Sequence, residues 1–186
     1  LDPQRAKTLK LLGLTHVRRA AKLAQEDAPE DLQKAIAEHL QKALDAYEKS
    51  LYLHPDPDLF YSLGRIYEQV DQLDSALDAY QACLLRQPQH ERSLRQVAQI
   101  YQARGQHPQA IAAWESLLAL REDPAVYFAL GNSYYRSGDA VRAAQAYNEA
   151  NRLEANSMET LANWGNALKQ LGQLDEARLV YHSAIE

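Results

Sequence analysis

The segment "DPDLFYSLGRIYEQVDQLDSALDAYQACLLRQP", at positions 56–88, decides the fold of this chain. Apolar and small residues in its first half have the i, i+3, i+4, i+7 spacing of one helix face. Its second half repeats a helical spacing after the polar break "VDQLD". The segment therefore predicts two helices joined by a short turn. The two sets are Phe60, Leu63, Gly64 and Tyr67, then Leu73, Leu77, Tyr80 and Leu84.

The same skeleton occurs three more times, and the third copy follows the second at a step one residue shorter than the other two steps. A fixed period of about 34 residues indicates stacked helix pairs instead of a single globular core. A solenoid of this kind favours a binding surface over a catalytic cleft. The four copies are Phe60, Leu63, Gly64, Tyr67, Ala76, Tyr80; Leu94, Val97, Ala98, Tyr101, Ala110, Trp114; Tyr127, Leu130, Gly131, Tyr134, Ala143, Tyr147; and Leu161, Trp164, Gly165, Leu168, Ala177, Tyr181.

The small residues of each copy lie where paired helices would touch. We expect a side chain larger than a methyl group there to hold the helices apart, and we expect the aromatic residues to fill the space between successive pairs. The breaks carry glycines that can end a helix and acidic residues that can begin one. The predicted helix-ending residues are Gly105, Gly138 and Gly172, and the predicted starts of second helices are Asp74, Asp139 and Asp175. We expect Asp58 to support the start of a first helix and Pro108 to lie in a first turn.

This pattern resembles the tetratricopeptide repeat. Positions 57–90 match nearly every signature position, including Cys83 for the second Ala and Pro88 at the end. The resemblance implies an all-α, right-handed superhelical solenoid of about five helix-turn-helix units, the first with lengthened helices. The expected units are 1–56 (atypical), 57–90, 91–123 (one residue shorter), 124–157 and 158–186, the last truncated at its C-terminal end.

The N-terminal part of the chain, positions 1–56, departs from the regular period. Gly13 and Ala43 are more than twice as far apart in the chain as Gly64 and Ala76, the matching residues of a regular repeat. We interpret the extra residues as two lengthened helices, Pro3–Gln25 and Asp31–Leu53, joined at "EDAPED". The alternative is that positions 1–25 form a separate capping helix. Candidate caps for the second helix are Asp27 and Asp31.

Neither the composition nor the motifs of the sequence indicate a catalytic, cofactor or metal site. The formal net charge of −5 gives no support for general nucleic-acid binding. Cys83 is the only cysteine, and we expect it in a small core position. The sequence has no P-loop, nucleophile elbow or paired-histidine motif, and we expect His90 and His107 to be solvated. The sequence therefore predicts no enzyme activity, cofactor or metal.

The compartment and the ends of the chain give weaker signals. No apolar run approaches the ~20 residues of a membrane-spanning helix, and the single cysteine fits a reducing environment. We expect a cytoplasmic protein; a periplasmic location, or attachment through a missing N-terminal segment, is the alternative. Because Glu186 lies within a helical pattern that has no terminator, we expect a fragment of a longer protein.

Each first helix leaves a stripe of residues beside its packing face. The resemblance implies that these stripes line a concave groove in which peptides bind; the alternative is a solvated helix face. Arg can form paired hydrogen bonds with a carboxylate, and Asn can donate to and accept from a peptide backbone. We therefore expect a partner segment with acidic residues or a free C-terminus. The candidate residues are Tyr61, Arg65, Arg92, Arg95, Gln99, Phe128, Asn132, Tyr135, Arg136, Asn163, Asn166 and Lys169.

The predicted function is non-catalytic binding of a peptide segment or partner protein, as an adaptor, co-chaperone or complex-assembly factor. Some relatives grip the C-terminal tails of heat-shock chaperones through a carboxylate clamp. Asn132 and Asn163 match its two Asn positions, but Phe128 stands where the clamp needs Lys. Two further alternatives are the substrate-selecting arm of a larger enzyme, such as a glycosyltransferase, and a scaffold that self-assembles through the ends of its repeats.

Overall fold

The computed structural model describes residues 2–24, 29–155 and 157–184, which form ten α-helices and no strand. The all-α prediction is confirmed. The first two helices have 21 and 24 residues, and the others have 10 to 14. In chain order the helices are α1 (Pro3–Leu23), α2 (Glu30–Leu53), α3 (Pro57–Gln69), α4 (Leu73–Arg86), α5 (Glu91–Ala103), α6 (His107–Leu118), α7 (Pro124–Arg136), α8 (Ala140–Leu153), α9 (Met158–Gln170) and α10 (Leu174–Ser183).

Two helices begin before the residues that the sequence predicts for their starts. The predicted starts are Asp74 and Asp175, but the N-caps of α4 and α10 are Gln72 and Gln173. Both Asp residues lie in the first helical turn, where a carboxylate interacts favourably with the helix dipole. Asp139 does cap its helix, by accepting the backbone N–H of Arg142 at the start of α8.

The ends of the two long helices also differ from the prediction. α2 begins at Glu30 without a side-chain cap, so Asp31 is inside the helix and does not precede it. The expected cap Asp27 and the expected end of α1, Gln25, lie outside the described residues. The C-terminal end of α2 at Leu53 is as predicted.

The turns within the regular helix pairs share one backbone conformation. Gly105, Gly138 and Gly172 have φ values of 69°, 90° and 77°. This left-handed region ends helices readily when the residue has no Cβ. The matching turn between α3 and α4 uses Asp71, at φ 58°. The sequence predicts the three glycine turns. The fourth turn has the same backbone conformation, which is strained for an Asp residue.

The aromatic residues fill a different space from the one the sequence predicts. Tyr80 packs on Gly64 within its own helix pair, and Tyr147 packs on Gly131 in the same way. A Cβ on either glycine would lie 2.5 or 2.6 Å from the tyrosine ring, so even a methyl group does not fit. Gly13 lies even closer to its tyrosine, Tyr47. The aromatic ring therefore fills the space inside a pair, which is why the residue opposite it must be so small.

The helices divide into two compact units, Leu1–Ser93 and Leu94–Glu186, here called unit 1 and unit 2. The core of unit 1 joins α1 and α2 to α3. The core of unit 2 combines small residues with a few large aromatic and aliphatic side chains. Cys83 is fully buried, as the sequence predicts. Principal buried residues are Leu40, Leu44, Tyr47, Leu59 and Leu63 in unit 1, and Trp114, Leu117, Val126, Leu130 and Tyr147 in unit 2.

The expectation that His90 and His107 are solvated is wrong. His90 is only 6% exposed. Its Nδ1 accepts the Ser93 backbone N–H at 3.1 Å, and its Nε2 lies 3.3 Å from the Asp58 carboxylate. The ring is buried because it caps the start of α5. His107 is the first residue of α6 and is half-buried, with an Nδ1 atom that has no partner within the described part of the chain.

Candidate functional site

In unit 1, two of the predicted groove residues, Arg65 and Arg92, contact the third, Tyr61. The Arg92 guanidinium lies 4.9 Å above the centre of the Tyr61 ring and 3.5 Å from Asp58. Arg65 lies 3.4 Å from the Tyr61 hydroxyl and 3.4 Å from Glu68. The hydrogen bond to Tyr61 raises the pKa of Arg65. The positive charges of this surface are therefore already compensated by their neighbours.

In unit 2 the predicted residues line two adjoining depressions, of about 380 and 240 Å³, that share Asn132 and Arg136. The depressions lie beside the exposed side of α7, between the first helices of successive pairs. Lys169 is exposed and lines neither of them. The larger depression contains Arg95, Gln99, Phe128, Asn132 and Arg136 from the predicted set, and the smaller contains Asn132, Tyr135, Arg136, Asn163 and Asn166.

The asparagines of unit 2 are held by tyrosine hydroxyls. Asn132 Oδ1 accepts hydrogen bonds from the Tyr147 hydroxyl at 2.8 Å and from Asn163 Nδ2 at 3.2 Å. Asn166 Oδ1 accepts from the Tyr181 hydroxyl at 2.7 Å. Burial raises the pKa of Tyr147, which keeps that hydroxyl a donor. These bonds occupy the amide oxygens of Asn132 and Asn166 and leave their amide nitrogens as donors.

The anchoring of the inner aromatic residue follows a rule that the repeat pattern alone does not reveal. Tyr147 and Tyr181 donate to residues 15 positions earlier in the chain. Tyr80 and Trp114 instead donate to Glu68 and Gln102, 12 positions earlier. The two acceptor positions are three residues apart on the first helix, and therefore about one turn apart. A polar residue 12 or 15 positions before each of these four aromatic residues is the signal by which the sequence could have shown these contacts.

Arg95 has a structural partner. Its Nη2 lies 2.8 Å from Asp123 Oδ2, and Asp123 also caps α7 by accepting the Ala125 N–H at 2.9 Å. Partial burial alone would raise the pKa of Asp123, but the hydrogen bonds from Arg95 and Ala125 lower it. Lys10 makes the same contact with Asp56, the cap of α3. In both cases the cation precedes the small packing residue of its own helix by three positions. It pairs with the Asp of the Asp-Pro sequence that starts the first helix of the next pair.

Arg136 and Lys169 are the predicted cations whose charge is still available. Both are exposed, and neither has an ion pair or hydrogen bond within the described ranges. Arg136 lies at the junction of the two depressions. The described residues also contain no cluster of three His, Cys, Asp or Glu that could hold a metal ion, and none of their helices is long and apolar enough to cross a membrane.

Two family models match this chain. That of the tetratricopeptide repeat matches residues 57–90, and that of the anaphase-promoting complex, cyclosome, subunit 3 matches residues 103–184. The chain is a tetratricopeptide-repeat protein. Repeats of this family act as protein-interaction and scaffold modules, and this tetratricopeptide-repeat protein belongs to that functional class.

Solved structures share the fold of this tetratricopeptide-repeat protein. MamA AMB-1 matches with a TM-score of 0.77 and 17% identity, covering 98% of this chain and 91% of that one. MamA from Desulfovibrio magneticus RS-1 matches with a TM-score of 0.73 and 15% identity, covering 97% and 93%. At these identities the likeness shows the fold alone. Among curated proteins, the general transcriptional corepressor ssn6 of Schizosaccharomyces pombe is 33% identical over 96 residues, which are 50% of this chain and 8% of that protein.

Proposed function

We propose that this chain is a non-catalytic adaptor or assembly module whose unit 2 depressions bind an extended, acidic segment of a partner protein. The observation that carries the proposal is the anchoring of Asn132 and Asn166 by tyrosine hydroxyls. This anchoring fixes two amide donors on side chains that line one cavity beside Arg136. A preorganised donor set lowers the ordering cost of binding on the receptor side.

The hydrogen-bonding capacity of the site defines the ligand. Two amide nitrogens and one guanidinium are donors, and donors need acceptors such as backbone carbonyls and carboxylates. Asn163 has the opposite role: its nitrogen donates to Asn132, and its oxygen, which has no partner among the described residues, can accept a peptide N–H. Phe128 supplies an apolar wall in the larger depression. An extended peptide with an acidic side chain near an apolar one fits this arrangement.

Unit 1 is the weaker candidate for the same ligand. Arg65 and Arg92 contact Glu68 and Asp58, and both rest on Tyr61. A carboxylate ligand would have to displace these internal partners, whereas Arg136 has none to lose within the described chain. We therefore place the primary contact at unit 2 and assign Arg95 to holding Asp123.

The double variant Asn132→Asp, Arg136→Ala tests the proposal. Asp at 132 keeps an oxygen for Tyr147 and Asn163, so the fold is kept while a donor becomes an acceptor. Affinity capture from native lysate identifies the partner, and a synthetic peptide of its bound segment then gives the affinity. We expect the double variant to bind this peptide ~10-fold or more weakly, since hydrogen bonds to charged groups contribute ~1.5–3 kcal/mol.

The matched control is Asn148→Asp, Arg178→Ala, which makes the same change in charge at exposed residues of unit 2 outside both depressions. It should bind like the wild type. A peptide whose acidic residues are replaced by their amides should bind the wild type poorly. Equal affinity of the double variant and the control would refute the groove proposal.

Self-assembly has one observation in its favour. Leu174 and Leu179 on α10 are 63% and 70% exposed, so this surface could pack on a second copy of the chain. Light scattering over a range of protein concentrations distinguishes this candidate from peptide binding. A molar mass that rises with protein concentration, and that no longer rises in the double variant Leu174→Ser, Leu179→Ser, would support self-assembly. A molar mass that stays at the monomer value would exclude it.

A further inference from the structure

The first helix differs from the rest of the chain in its charge. α1 holds six of the twenty Lys and Arg residues and none of the 25 Asp and Glu residues. Lys10 forms an ion pair with Asp56, and the side chains of the other five are exposed. The remainder of the chain is strongly acidic. A helix that carries only positive charge on an otherwise acidic protein is suited to an anionic partner surface. The six residues are Arg5, Lys7, Lys10, Arg18, Arg19 and Lys22.

Leucines lie among these cations on the side of α1 that faces away from α2. The packing face is marked by Ala6, Gly13 and Ala20, which are buried at intervals of seven residues. Leu11 and Leu12 lie outside this face and are 55% and 48% exposed. Exposed aliphatic side chains among Lys and Arg, with no carboxylate, are typical of helices that lie in a membrane interface.

A cavity of about 250 Å³ continues this surface onto α2. Leu9 and Leu53 form apolar walls, and Arg5 and Lys49 line the same cavity. The ring of Tyr52 also borders it and is 82% exposed. Tyrosine, with an apolar ring and a polar hydroxyl, is enriched at the boundary between lipid and water. This cavity therefore suits a lipid, whose headgroup phosphate Arg5 and Lys49 can hold while the leucine walls contact its acyl chain.

We propose that the outer side of α1, with the adjoining cavity on α2, docks on the surface of an anionic phospholipid bilayer. Headgroup phosphates contact Arg5 and Lys49, and the cations at the C-terminal end of α1 contact neighbouring headgroups. Leu11 and Leu12 reach the acyl boundary. A lipid surface fits better than an acidic protein because cations and leucines alternate around a broad sector of the helix, whereas a partner helix would need a narrow apolar seam.

The test is co-sedimentation of the full chain with vesicles. We expect binding to vesicles of phosphatidylcholine mixed with phosphatidylglycerol, little binding to phosphatidylcholine alone, and release at high salt. The variant Arg19→Glu, Lys22→Glu should bind the anionic vesicles ~10-fold or more weakly, because each basic residue near an anionic surface contributes to the affinity. Leu11→Ser, Leu12→Ser should weaken binding ~5-fold, through loss of buried apolar area.

The matched control is Arg104→Glu, Arg178→Glu, which changes charge equally at exposed residues outside α1. Helix content measured by circular dichroism confirms that each variant is folded. Three results would overturn the proposal: no sedimentation of the wild type with anionic vesicles, equal binding to neutral and anionic vesicles, or equal loss in the α1 charge variant and the control. None of them bears on the groove of unit 2, because the two sites share no residue.

Discussion

Units 1 and 2 are built on the same contact and differ in what surrounds it. In both, a tyrosine on the second helix of a pair fills the space left by a glycine on the first: Tyr47 on Gly13, and Tyr147 on Gly131. The hydroxyl of Tyr147 is held by Asn132, whereas Tyr47 has no hydrogen-bond partner in the described residues. The residue after Gly13, at the place matching Asn132, is Leu14. The packing of tyrosine on glycine is therefore the same in both units, whereas the polar groups around the tyrosine hydroxyl, here called the polar shell, differ.

The difference lies in the group that accepts the tyrosine hydroxyl. In unit 1 the Tyr80 hydroxyl goes to Glu68, a carboxylate that also lies beside Arg65, so the local charges cancel. In unit 2 the acceptors for Tyr147 and Tyr181 are amides, and the nitrogen of each amide has no acceptor within the part of the chain that the structure describes. The same structural need, an acceptor for a buried hydroxyl, is met by a charge-paired carboxylate in unit 1 and by amides in unit 2.

The largest effect is expected from adding a methyl group at the shared contact. Gly131→Ala places a Cβ about 2.6 Å from Tyr147, which the packed pair can accept only by separating. Overpacking of this kind costs ~1–3 kcal/mol, somewhat offset by the better helix propensity of Ala. We expect urea unfolding to show a loss of ~2 kcal/mol. Gly13→Ala should cost at least as much if the lengthened pair is as tightly packed.

Two controls accompany that measurement. Ala98→Gly removes a fully buried methyl group that the structure already accommodates, and should cost the ~1 kcal/mol of helix propensity plus the lost burial of that methyl group. Gly131→Ala should cost less when it is made in a Tyr147→Leu background than in the wild type, because the ring that the new methyl group meets is absent there. If Gly13→Ala leaves the free energy of unfolding unchanged, the long helices of unit 1 move apart to accept the methyl group and the short helices of unit 2 do not. The tyrosine–glycine contact would then not be equivalent in the two units.

The second prediction concerns the turns. Asp71 in unit 1 holds the left-handed conformation that glycines hold in unit 2. A residue with a Cβ costs roughly 1–2 kcal/mol in this region, although Asp tolerates it better than most. We expect Asp71→Gly to stabilise the protein by ~1 kcal/mol and to raise Tm by ~2–4 °C. Gly138→Asp should have the opposite sign. An unchanged or lower Tm for Asp71→Gly would show that the Asp side chain compensates its own strain.

The sequence predicts which helix faces are buried, because the regular period and the small residues at 64, 98, 131 and 165 mark them. It does not predict that each tyrosine packs on the glycine of its own pair. The handedness of the array and its number of repeat units remain predictions. Positions of caps are less predictable, because Gln72 and Gln173 begin helices without a side-chain signal.

The candidate site is less predictable because it depends on contacts between repeats. Arg95 has the pattern of a ligand-binding cation, yet Asp123, 28 residues later, pairs with it. His90 follows a proline turn, which favours exposure, but its ring caps α5 and is buried. A one-dimensional pattern gives the face on which a residue lies. It does not show which side chain from the next helix reaches it.

The third prediction tests the polar shell directly. Tyr147→Phe removes the hydrogen bond to Asn132 and should cost ~1 kcal/mol, the usual net contribution of one such bond. Tyr47→Phe should be close to neutral, since its hydroxyl has no partner to lose in the described chain. Urea unfolding of the two variants measures the difference. Equal losses would mean that the hydroxyl of Tyr47 contributes through solvent, and that the asparagine is not what distinguishes unit 2.

The smallest effect is expected from the two capping aspartates, Asp56 and Asp123. Their hydrogen bonds outweigh the burial that alone would raise their pKa values, so both values are lowered in the folded state. A lowered folded pKa stabilises the protein above the unfolded value of about 3.9, and this contribution is lost as the pH falls through the folded value. Stability should therefore decline between about pH 5 and 2.

Asn at either position can still cap the helix but cannot titrate. Asp123→Asn should therefore cost under ~1 kcal/mol near pH 7 and approach the wild type as the pH falls toward ~2. Asp56→Asn should show the same trend more weakly, because Lys10 is more exposed than Arg95, at 46% against 34%. Urea unfolding across this pH range measures both. A gap between wild type and Asp123→Asn that does not narrow in acid would show that the charge of Asp123, and with it the ion pair with Arg95, does not contribute to stability.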